Sequence, residues 1–444
     1  MCLAELKAAN KAKRPPQLQN CNLTGAKLGK RNLSYANLVG ATLIRANLGK
    51  ANLQGADLTN AKMGQWFSNT SGAKLVGANL NWANLTSAAM FYVDLTGAIL
   101  NDAVLDRANL RGSKCCSSTS FIGASFELTT LSGMDLSNKD LSGYNFKNAD
   151  LIGTNFSNAK LDGASMEGSD LWEAKMNSAS LVGANLNGAN LRAAQLDGAD
   201  FSLVQARAAD FNESTMRGTL FIGSSLTGAT FLVIKADQDL SFQRAELNGV
   251  EFSRADLRKV DFTGAQMESA NFGVCYTEYF GNECRLVPSN QAYFQVDLRG
   301  ADFSGATWNL NCNCDLREAK FDNLVVSYGN WYDRDFTGAS FKGSSLSSVS
   351  IRGSTFNNAD FSGSTITGLT VTGSAFRSAN FSGSSISNFI ALKPEWYSPG
   401  PGSDFSGANF SGSTINSGNF SQESNLDLTG AVLIDVWIDD IEVR

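Results

Sequence analysis

The sequence contains no histidine among its 444 residues, and it contains only six prolines. Histidine is the commonest general base near neutral pH and a frequent metal ligand, so a nucleophilic serine or cysteine here lacks its usual partner. The adjacent carboxylates of Asp439 and Asp440 stand in a terminal segment, and the glycines recur at intervals that suit turns better than a phosphate loop. The sequence therefore predicts a protein that is not an enzyme and has no cofactor.

Neither sign of charge dominates, and long apolar runs are lacking. The chain has 36 basic and 42 acidic residues, a net charge of −6 and a pI near 5.0, which argues against nucleic-acid binding. No apolar run approaches the roughly 18 residues that a membrane helix needs. The first residues, "MCLAELKAANKAKRPPQ", lack the apolar core of a secretory signal. We expect a cytoplasmic protein with no membrane span and no nucleic-acid partner.

The eight cysteines leave the redox state open. Besides Cys2 and Cys21, they form three close pairs: Cys115 and Cys116, Cys275 and Cys284, and Cys312 and Cys314. Disulfides would indicate an oxidising compartment or a virion, but without a targeting segment we expect free thiols that fill small apolar spaces. Cys275 and Cys284 bracket a short segment and either form a hairpin disulfide or stay reduced. Four ligands at metal-site spacing are missing, so we expect no zinc.

What the chain has in abundance is an apolar residue at every fifth position. In "ANLGKANLQGADLTNAKM", Leu48, Leu53, Leu58 and Met63 follow this spacing, and an alanine lies two places before each. A helix repeats its apolar face every 3.6 residues and a strand every 2, so neither explains a period of five. Such pentads number about 70 and cover roughly four fifths of the chain, with one shift of register at Cys115 and Cys116.

A longer period of twenty residues lies inside the first. It is clearest between residues 316 and 386, where one series of centres is Phe321, Phe341, Phe361 and Phe381. Four pentads per repeat predict a coil with four sides, each a short extended segment whose centre and second-preceding residue point inward. Large and small residues alternate because a narrow tube has no room for two large side chains per side. Stacking at about 4.8 Å per coil predicts about 18 coils and a rod roughly 85 Å long.

The segments "ANLVGATLIRANLGKANLQGADL" and "GANLNGANLRAAQLDGADF" read as tandem A(D/N)Lxx units, and on these units the chain resembles the pentapeptide-repeat family. The resemblance implies an all-β fold, a right-handed quadrilateral β-helix, here with short terminal caps and three inserted loops. It also implies two classes of function. Some members are dimeric mimics of duplex DNA that bind gyrase, whereas many others, numerous in photosynthetic bacteria, look like protein-binding scaffolds.

A DNA mimic needs a sustained acidic stripe, and this sequence offers only part of one. One predicted face carries Asp150, Asp170, Asn190 and Asp210 in order. The neighbouring face is mixed and carries Asp140, Lys160, Ser180 and Asp200. Basic residues are scattered nearly as densely as acidic ones, which is typical of an ordinary solvated surface. The pattern therefore favours the scaffold over the mimic.

Three interruptions divide the predicted β-helix. We expect a helical N-terminal cap over 1–20, repeats over 21–272 with an insertion at 64–72, a Cys- and aromatic-containing loop over 273–293, repeats over 294–386, a Pro- and aromatic-containing loop over 387–402, and last coils with an apolar cap over 403–444. Each loop carries aromatic residues that either bind a partner or fold back on the wall. The candidate partner contacts are Trp66, Phe67, Tyr276, Tyr279, Phe280, Phe389, Trp396, Tyr397 and, in the terminal segment, Trp437.

The open ends of a β-helix expose unpaired backbone and core, so they need caps or a second chain. "MCLAELKAANKAKRPPQ" predicts a short amphipathic helix that ends before Pro15 and Pro16. "AVLIDVWIDDIEVR" is more apolar than a last coil requires, so it either caps the tube or forms a homodimer contact.

The sequence thus predicts a non-enzymatic, rod-shaped scaffold for protein–protein interaction, with a partner that it does not identify. A structural subunit of a larger assembly, such as a virion or a photosynthetic complex, fits the same pattern. The alternative is a DNA-mimicking modulator of DNA gyrase or another topoisomerase.

Overall fold

The structure is a computed structural model. It describes residues 2–115, 118–236, 239–252, 255, 257, 259–267, 270, 296–298, 300–304, 314–392, 403–420, 432–434, 436–438 and 441–443. The chain forms two compact units, Met1–Thr215 and Met216–Arg444. No helix among these described residues is long and apolar enough to cross a membrane.

The first unit is a stack of parallel coils that repeat every twenty residues. Asn22 is bridged to Thr42, and Asn32 is bridged to Asn52, each in parallel register. Four bridged segments lie in each repeat, one per pentad, which confirms the predicted β-helix of stacked coils. Strands longer than one bridge are absent from the described part of this unit, because each side has only three extended residues before a two-residue turn.

The turn between two sides explains the pentad. The Cys21 N–H donates to the Leu18 carbonyl at 3.1 Å, and Asn20 at the second central position has φ of +56°. A positive φ at that position defines a type II turn, which suits Gly and Asn. The chain has this conformation at corner after corner, so every fifth residue changes the direction of the chain.

Two irregularities in the first unit fall where the sequence breaks its period. Asn47 is bridged to Lys74, 27 positions later, because residues 64–72 are inserted between two sides. Ile99 is bridged to Ser120, 21 positions later, which is the predicted shift by one residue near Cys115. The coils regain the same parallel register after each irregularity.

Helix α1, Cys2–Lys11, covers the first coil and buries Leu6 and Ala9. A disulfide joins Cys2 to Cys21 in that coil. The expectation of free thiols is therefore wrong for this pair, because the helix places two cysteines next to each other that are 19 positions apart in the sequence. Cys115 is also disulfide-bonded. The proposed pair Cys275 and Cys284 lies outside the described residues.

An ion pair joins the first turn of this helix to the chain that follows the helix. Arg14 donates to both carboxylate oxygens of Glu5, with Nη1 to Oε1 at 2.6 Å and Nη2 to Oε2 at 2.9 Å. The backbone N–H of Gln17, which begins the first coil, also donates to Glu5 Oε1, at 3.1 Å. These bonds lower the pKa of Glu5 to about 2.

The second unit has longer strands than the first. They are β1 Val296–Asp297, β2 Cys314–Asp315, β3 Val325–Val326, β4 Gly329–Tyr332, β5 Ser345–Ser347, β6 Val349–Arg352, β7 Thr365–Thr367, β8 Thr370–Thr372, β9 Ser385–Leu392, β10 Thr414–Phe420, β11 Val432–Ile434, β12 Val436–Ile438 and β13 Ile441–Val443. Pairing is parallel throughout, except that β13 runs antiparallel to β12. Because β9 extends to Leu392, the prediction that a loop begins at 387 is wrong for 387–392. Thr, Val and Ile predominate in β6 to β8, and these residues favour extended backbone.

The interior of both units follows the predicted rule of one large and one small residue per side. Ala46 and Leu48 in the first unit, and Ala359 and Phe361 in the second, are at most 1 % exposed. Serine often replaces the small alanine in the second unit. Ser364 Oγ donates to the Phe341 carbonyl at 2.7 Å, so the buried hydroxyl is satisfied.

Candidate functional site

The inserted loop 64–72 presents two aromatic rings to solvent. Trp66 is 72 % exposed and Phe67 is 70 % exposed, and their rings meet edge to face with centroids 6.0 Å apart. The alternative prediction, in which these aromatic residues fold back on the wall of the β-helix, is therefore wrong for this loop. Two adjacent aromatic rings expose a large apolar surface to water, and such residues commonly anchor protein interfaces.

This loop is held in place by its own polar groups. Ser71 Oγ accepts a hydrogen bond from the Gln65 N–H at 2.8 Å and donates to the Ser68 carbonyl at 2.7 Å. The Tyr92 hydroxyl donates to the Trp66 carbonyl at 3.5 Å from the next coil. A loop fixed in this way loses little conformational entropy when a partner binds.

Two glycines allow the loop to lie against the wall. A Cβ on Gly64 would be 1.8 Å from the Phe91 carbonyl oxygen, and a Cβ on Gly72 would be 1.9 Å from the Tyr92 carbonyl oxygen. No other residue type fits at such separations. The sequence therefore encodes both the exposed rings and the close approach that positions them.

The other predicted contacts have different outcomes. Phe389 is 1 % exposed and packs edge to face on Phe405 with centroids 5.7 Å apart, which contradicts its prediction as a partner contact. It is buried because β9 continues the wall where a loop was expected. Trp437 lies on β12, whose backbone pairs with β10 and β13. The remaining candidates lie outside the described residues: Tyr276, Tyr279, Phe280, Trp396 and Tyr397.

Sequence reasoning missed a set of aromatic residues at the turns. Tyr35 and Trp82 are 59 % and 57 % exposed and have φ values of +54° and +61°. The Tyr35 ring lies over Gly55 of the next coil, where a Cβ would be 2.5 Å from Tyr35 Cε1. Trp82 Nε1 donates to Asp102 Oδ2 at 3.1 Å. An aromatic residue at the fifth place of a pentad, where Gly or Asn is usual, was the available signal.

The predicted acidic face is confirmed as a ladder. Parallel bridges join Asp150 to Asp170, Asp170 to Asn190, and Asn190 to Asp210. Asn190 Nδ2 donates to Asp170 Oδ1 at 2.8 Å, so an amide separates the carboxylates at the middle of the ladder. The ladder is therefore not a continuous acidic stripe.

The neighbouring mixed face is also a ladder, in which bridges join Asp140, Lys160, Ser180 and Asp200 in order. Hydrogen bonds from the Ser142 hydroxyl and N–H hold the pKa of Asp140 below its usual range. Asp140 therefore remains charged near neutral pH, but Lys160 in the next coil offsets its charge.

A groove opens beside the acidic ladder, with a volume of about 510 Å³. Its lining consists of Asp170, Trp172, Glu173, Asn190, Arg192, Ala193 and Glu213. The Glu173 N–H donates to the Arg192 carbonyl at 3.0 Å, and the Ala193 N–H donates to the Asn212 carbonyl at 2.8 Å. The groove therefore spans three successive coils. Sequence reasoning missed this groove, although the twenty-residue period places Glu173, Ala193 and Glu213 at the same corner of successive coils.

Within the described ranges, no group of three or more His, Cys, Asp and Glu residues is arranged to hold a metal ion. The sites described above consist of exposed aromatic rings, paired charges and amide ladders, which are the components of binding surfaces.

The model of the pentapeptide-repeat family matches the sequence in eight copies, at residues 17–60, 90–127, 120–163, 164–202, 199–232, 238–273, 335–368 and 344–383. These matches cover more than half of the chain, so the protein belongs to the pentapeptide-repeat family. No curated protein matches the chain.

Several solved structures are similar to this chain. One is HetL, a pentapeptide repeat protein involved in regulation of heterocyst differentiation in the cyanobacterium Nostoc, with 24 % identity over 60 % of this chain and 97 % of that one, and a TM-score of 0.21. Another is full-length QnrB1, a plasmid-mediated fluoroquinolone resistance protein, with 16 % identity over 58 % and 89 % of the two chains and a TM-score of 0.17. A pentapeptide repeat protein from the Arabidopsis thaliana thylakoid lumen is 38 % identical over 24 % of this chain and 66 % of that one, with a TM-score of 0.13.

Proposed function

We propose that this protein is a non-enzymatic scaffold that binds a protein partner through Trp66 and Phe67. The observation that carries the proposal is the exposure of both rings, 72 % and 70 %, on a loop that hydrogen bonds hold against the wall. Large exposed aromatics on a rigid support resemble the anchors that dominate binding energy at protein interfaces. The regular coils supply the rigid support.

Affinity purification from the native source tests this proposal. The full chain and the double variant Trp66→Ala/Phe67→Ala are compared, with Trp82→Ala as the matched control because Trp82 is exposed elsewhere on the same unit. We expect one partner to be retained by the wild type and by the control, with at least about 30-fold weaker binding by the double variant, equivalent to about 2 kcal/mol. Equal retention by all three proteins would refute the proposed site.

DNA mimicry towards a topoisomerase is the second candidate. The ladder of Asp150, Asp170 and Asp210 favours it, because carboxylates repeated along a solenoid resemble backbone phosphates. Asn190 and the mixed ladder of Asp140 and Lys160 oppose it. A gyrase supercoiling assay separates the two functions, since a mimic inhibits or modulates supercoiling at micromolar concentration and a scaffold for another partner leaves it unchanged.

The disulfide between Cys2 and Cys21 favours an oxidising compartment over the cytoplasm that the sequence suggests. Alkylation of the protein isolated from its native source, before and after reduction, tests this point. If the thiols of Cys2 and Cys21 are alkylated without reductant, they are reduced in the native source, and the proposal of an oxidising compartment is wrong.

A further inference from the structure

We propose that the groove formed by Trp172, Glu173, Ala193 and Glu213 is a second protein-binding site, which accepts an arginine side chain from an extended basic segment of a partner. This site is separate from Trp66 and Phe67 and does not rest on the function proposed for them. Its failure would therefore leave that function standing.

The shape of the groove follows from the ladder at one turn. Glu173, Ala193 and Glu213 occupy the same corner position in three successive coils, with φ of +54°, +57° and +62°. Adjacent coils are about 4.8 Å apart, so the two carboxylate residues lie roughly 10 Å apart with only a methyl group between them. Ala193 is thus the floor of a depression with an acidic residue on each side.

The charge of the groove is negative. Asp170, Glu173 and Glu213 contribute three carboxylates, and Arg192 contributes one guanidinium, so the lining has a formal charge of −2. Arg192 Nη2 is bound to Glu213 Oε1 at 2.5 Å, and Asp170 Oδ1 accepts a hydrogen bond from Asn190. Among the residues that the structure describes, the side chain of Glu173 has no hydrogen-bond or ion-pair partner, and only its backbone N–H is bonded, to the Arg192 carbonyl. The carboxylate of Glu173 therefore remains available to a cation from outside.

An aromatic wall stands next to this carboxylate. Trp172 precedes Glu173 directly and remains 41 % exposed, although its backbone N–H donates a hydrogen bond to Asp170 Oδ1 at 3.2 Å. The face of an indole attracts a guanidinium or ammonium group within about 6 Å, and arginine makes this contact most often. Trp172 and Glu173 together offer a cation both a ring face and a carboxylate.

The extent of the groove indicates a peptide segment as the occupant. Three coils span roughly 10 Å, which is the length of about three extended residues. A lone small cation would leave most of the 510 Å³ to water. An extended segment with arginine at alternate positions places one side chain in the depression and keeps the next close to the acidic ladder.

Fluorescence anisotropy of a labelled Gly-Arg-Gly-Arg-Gly-Arg-Gly peptide tests the proposal directly, with a peptide that has glutamine for each arginine as its counterpart. Trp172→Ala removes the ring face, and Ala193→Lys fills the depression with a cation. Lysine already occupies the same backbone conformation at Lys30 and Lys50, so Ala193→Lys should fold. Trp82→Ala is the matched control, because Trp82 lies beside Asp102 at a turn.

We expect saturable binding of the arginine peptide by the wild type and by Trp82→Ala, weakened by added salt, and no binding of the glutamine peptide. Trp172→Ala should weaken binding by about fivefold or more, and Ala193→Lys should abolish it. Absence of saturable binding by the wild type at low salt would overturn the proposal. Equal affinity of the wild type, Trp172→Ala and Ala193→Lys, with native circular dichroism, would also overturn it.

Discussion

Phe341 and Phe361 stack face to face, with ring centroids 4.8 Å apart and planes inclined by 4°. They occupy the same position in successive coils, and the backbone N–H of Phe341 donates to the Asp360 carbonyl at 2.7 Å beside them. The separation of the rings equals the spacing of hydrogen-bonded strands. A repeat of twenty residues in the sequence has therefore become a column of rings in the core.

Removing one ring from this column should destabilise the second unit. Phe361 is 1 % exposed, so Phe361→Ala leaves a cavity and should cost about 3–5 kcal/mol of unfolding free energy. Tyr328→Ala is the control, since Tyr328 is 80 % exposed and its loss should cost less than about 0.5 kcal/mol. Urea unfolding measures both, and equal midpoints for the two variants would contradict the buried column.

The contact of Tyr35 with Gly55 predicts that two glycines with the same backbone conformation differ in tolerance. Gly55 and Gly153 both have φ of +61°, but only Gly55 has a ring over it. Gly153→Ala should cost about 1–2 kcal/mol because alanine disfavours the left-handed region. Gly55→Ala should cost about 1 kcal/mol more, because its Cβ displaces the ring. Thermal unfolding measures the difference.

A double variant checks the cause of that difference. In Tyr35→Ala/Gly55→Ala the ring is absent. Relative to Tyr35→Ala, the Gly55→Ala change should therefore cost the same unfolding free energy as Gly153→Ala costs in the wild type. An unchanged difference would show that the ring is not responsible.

The disulfide between Cys2 and Cys21 should hold helix α1 on the first coil. The double variant Cys2→Ser/Cys21→Ser loses the cross-link, which for a loop of this length is worth about 3 kcal/mol. We expect trypsin to cleave after Lys11 and Lys13 faster in the variant, while the amide exchange of later coils such as that of Leu105 stays slow. Unchanged cleavage would show that Leu6, Ala9 and the ion pair hold the helix without the cross-link.

The ion pair of Glu5 makes the cap sensitive to acid. Its pKa is lowered from 4.5 to about 2, first by the Arg14 hydrogen bond and then by the Gln17 N–H. A lowered pKa in the folded state stabilises the cap above about 4.5, and that stabilisation is lost as the pH falls towards 2. The amide NMR signal of Gln17 should therefore titrate near pH 2 in the wild type. Glu5→Gln should remove this titration, and a midpoint near 4.5 in the wild type would contradict the bond.

Much of the fold could be predicted because each pentad repeats the same pattern of large, small and turn-forming residues. The spacing of Leu48 and Leu53 specifies which residues face inward, and Ala46 specifies how much room each side has. The predicted insertion 64–72 and the shift near Cys115 appear as bridge spacings of 27 and 21 residues in place of 20. This is expected because residues added to a periodic chain increase the sequence separation of the paired positions on either side of them. Less of the candidate site could be predicted, because surface contacts do not repeat.

By itself, the sequence determined the period, the inward and outward faces, and the family of this protein, because these depend on local backbone geometry and on side-chain volume. Only the tertiary structure decided that Cys2 meets Cys21, that Phe389 is buried while Trp66 is exposed, and that Trp172 and Glu213 line one groove. These outcomes depend on single contacts between residues far apart in the chain. A repeated pattern does not specify which of the residues that depart from it will contact one another.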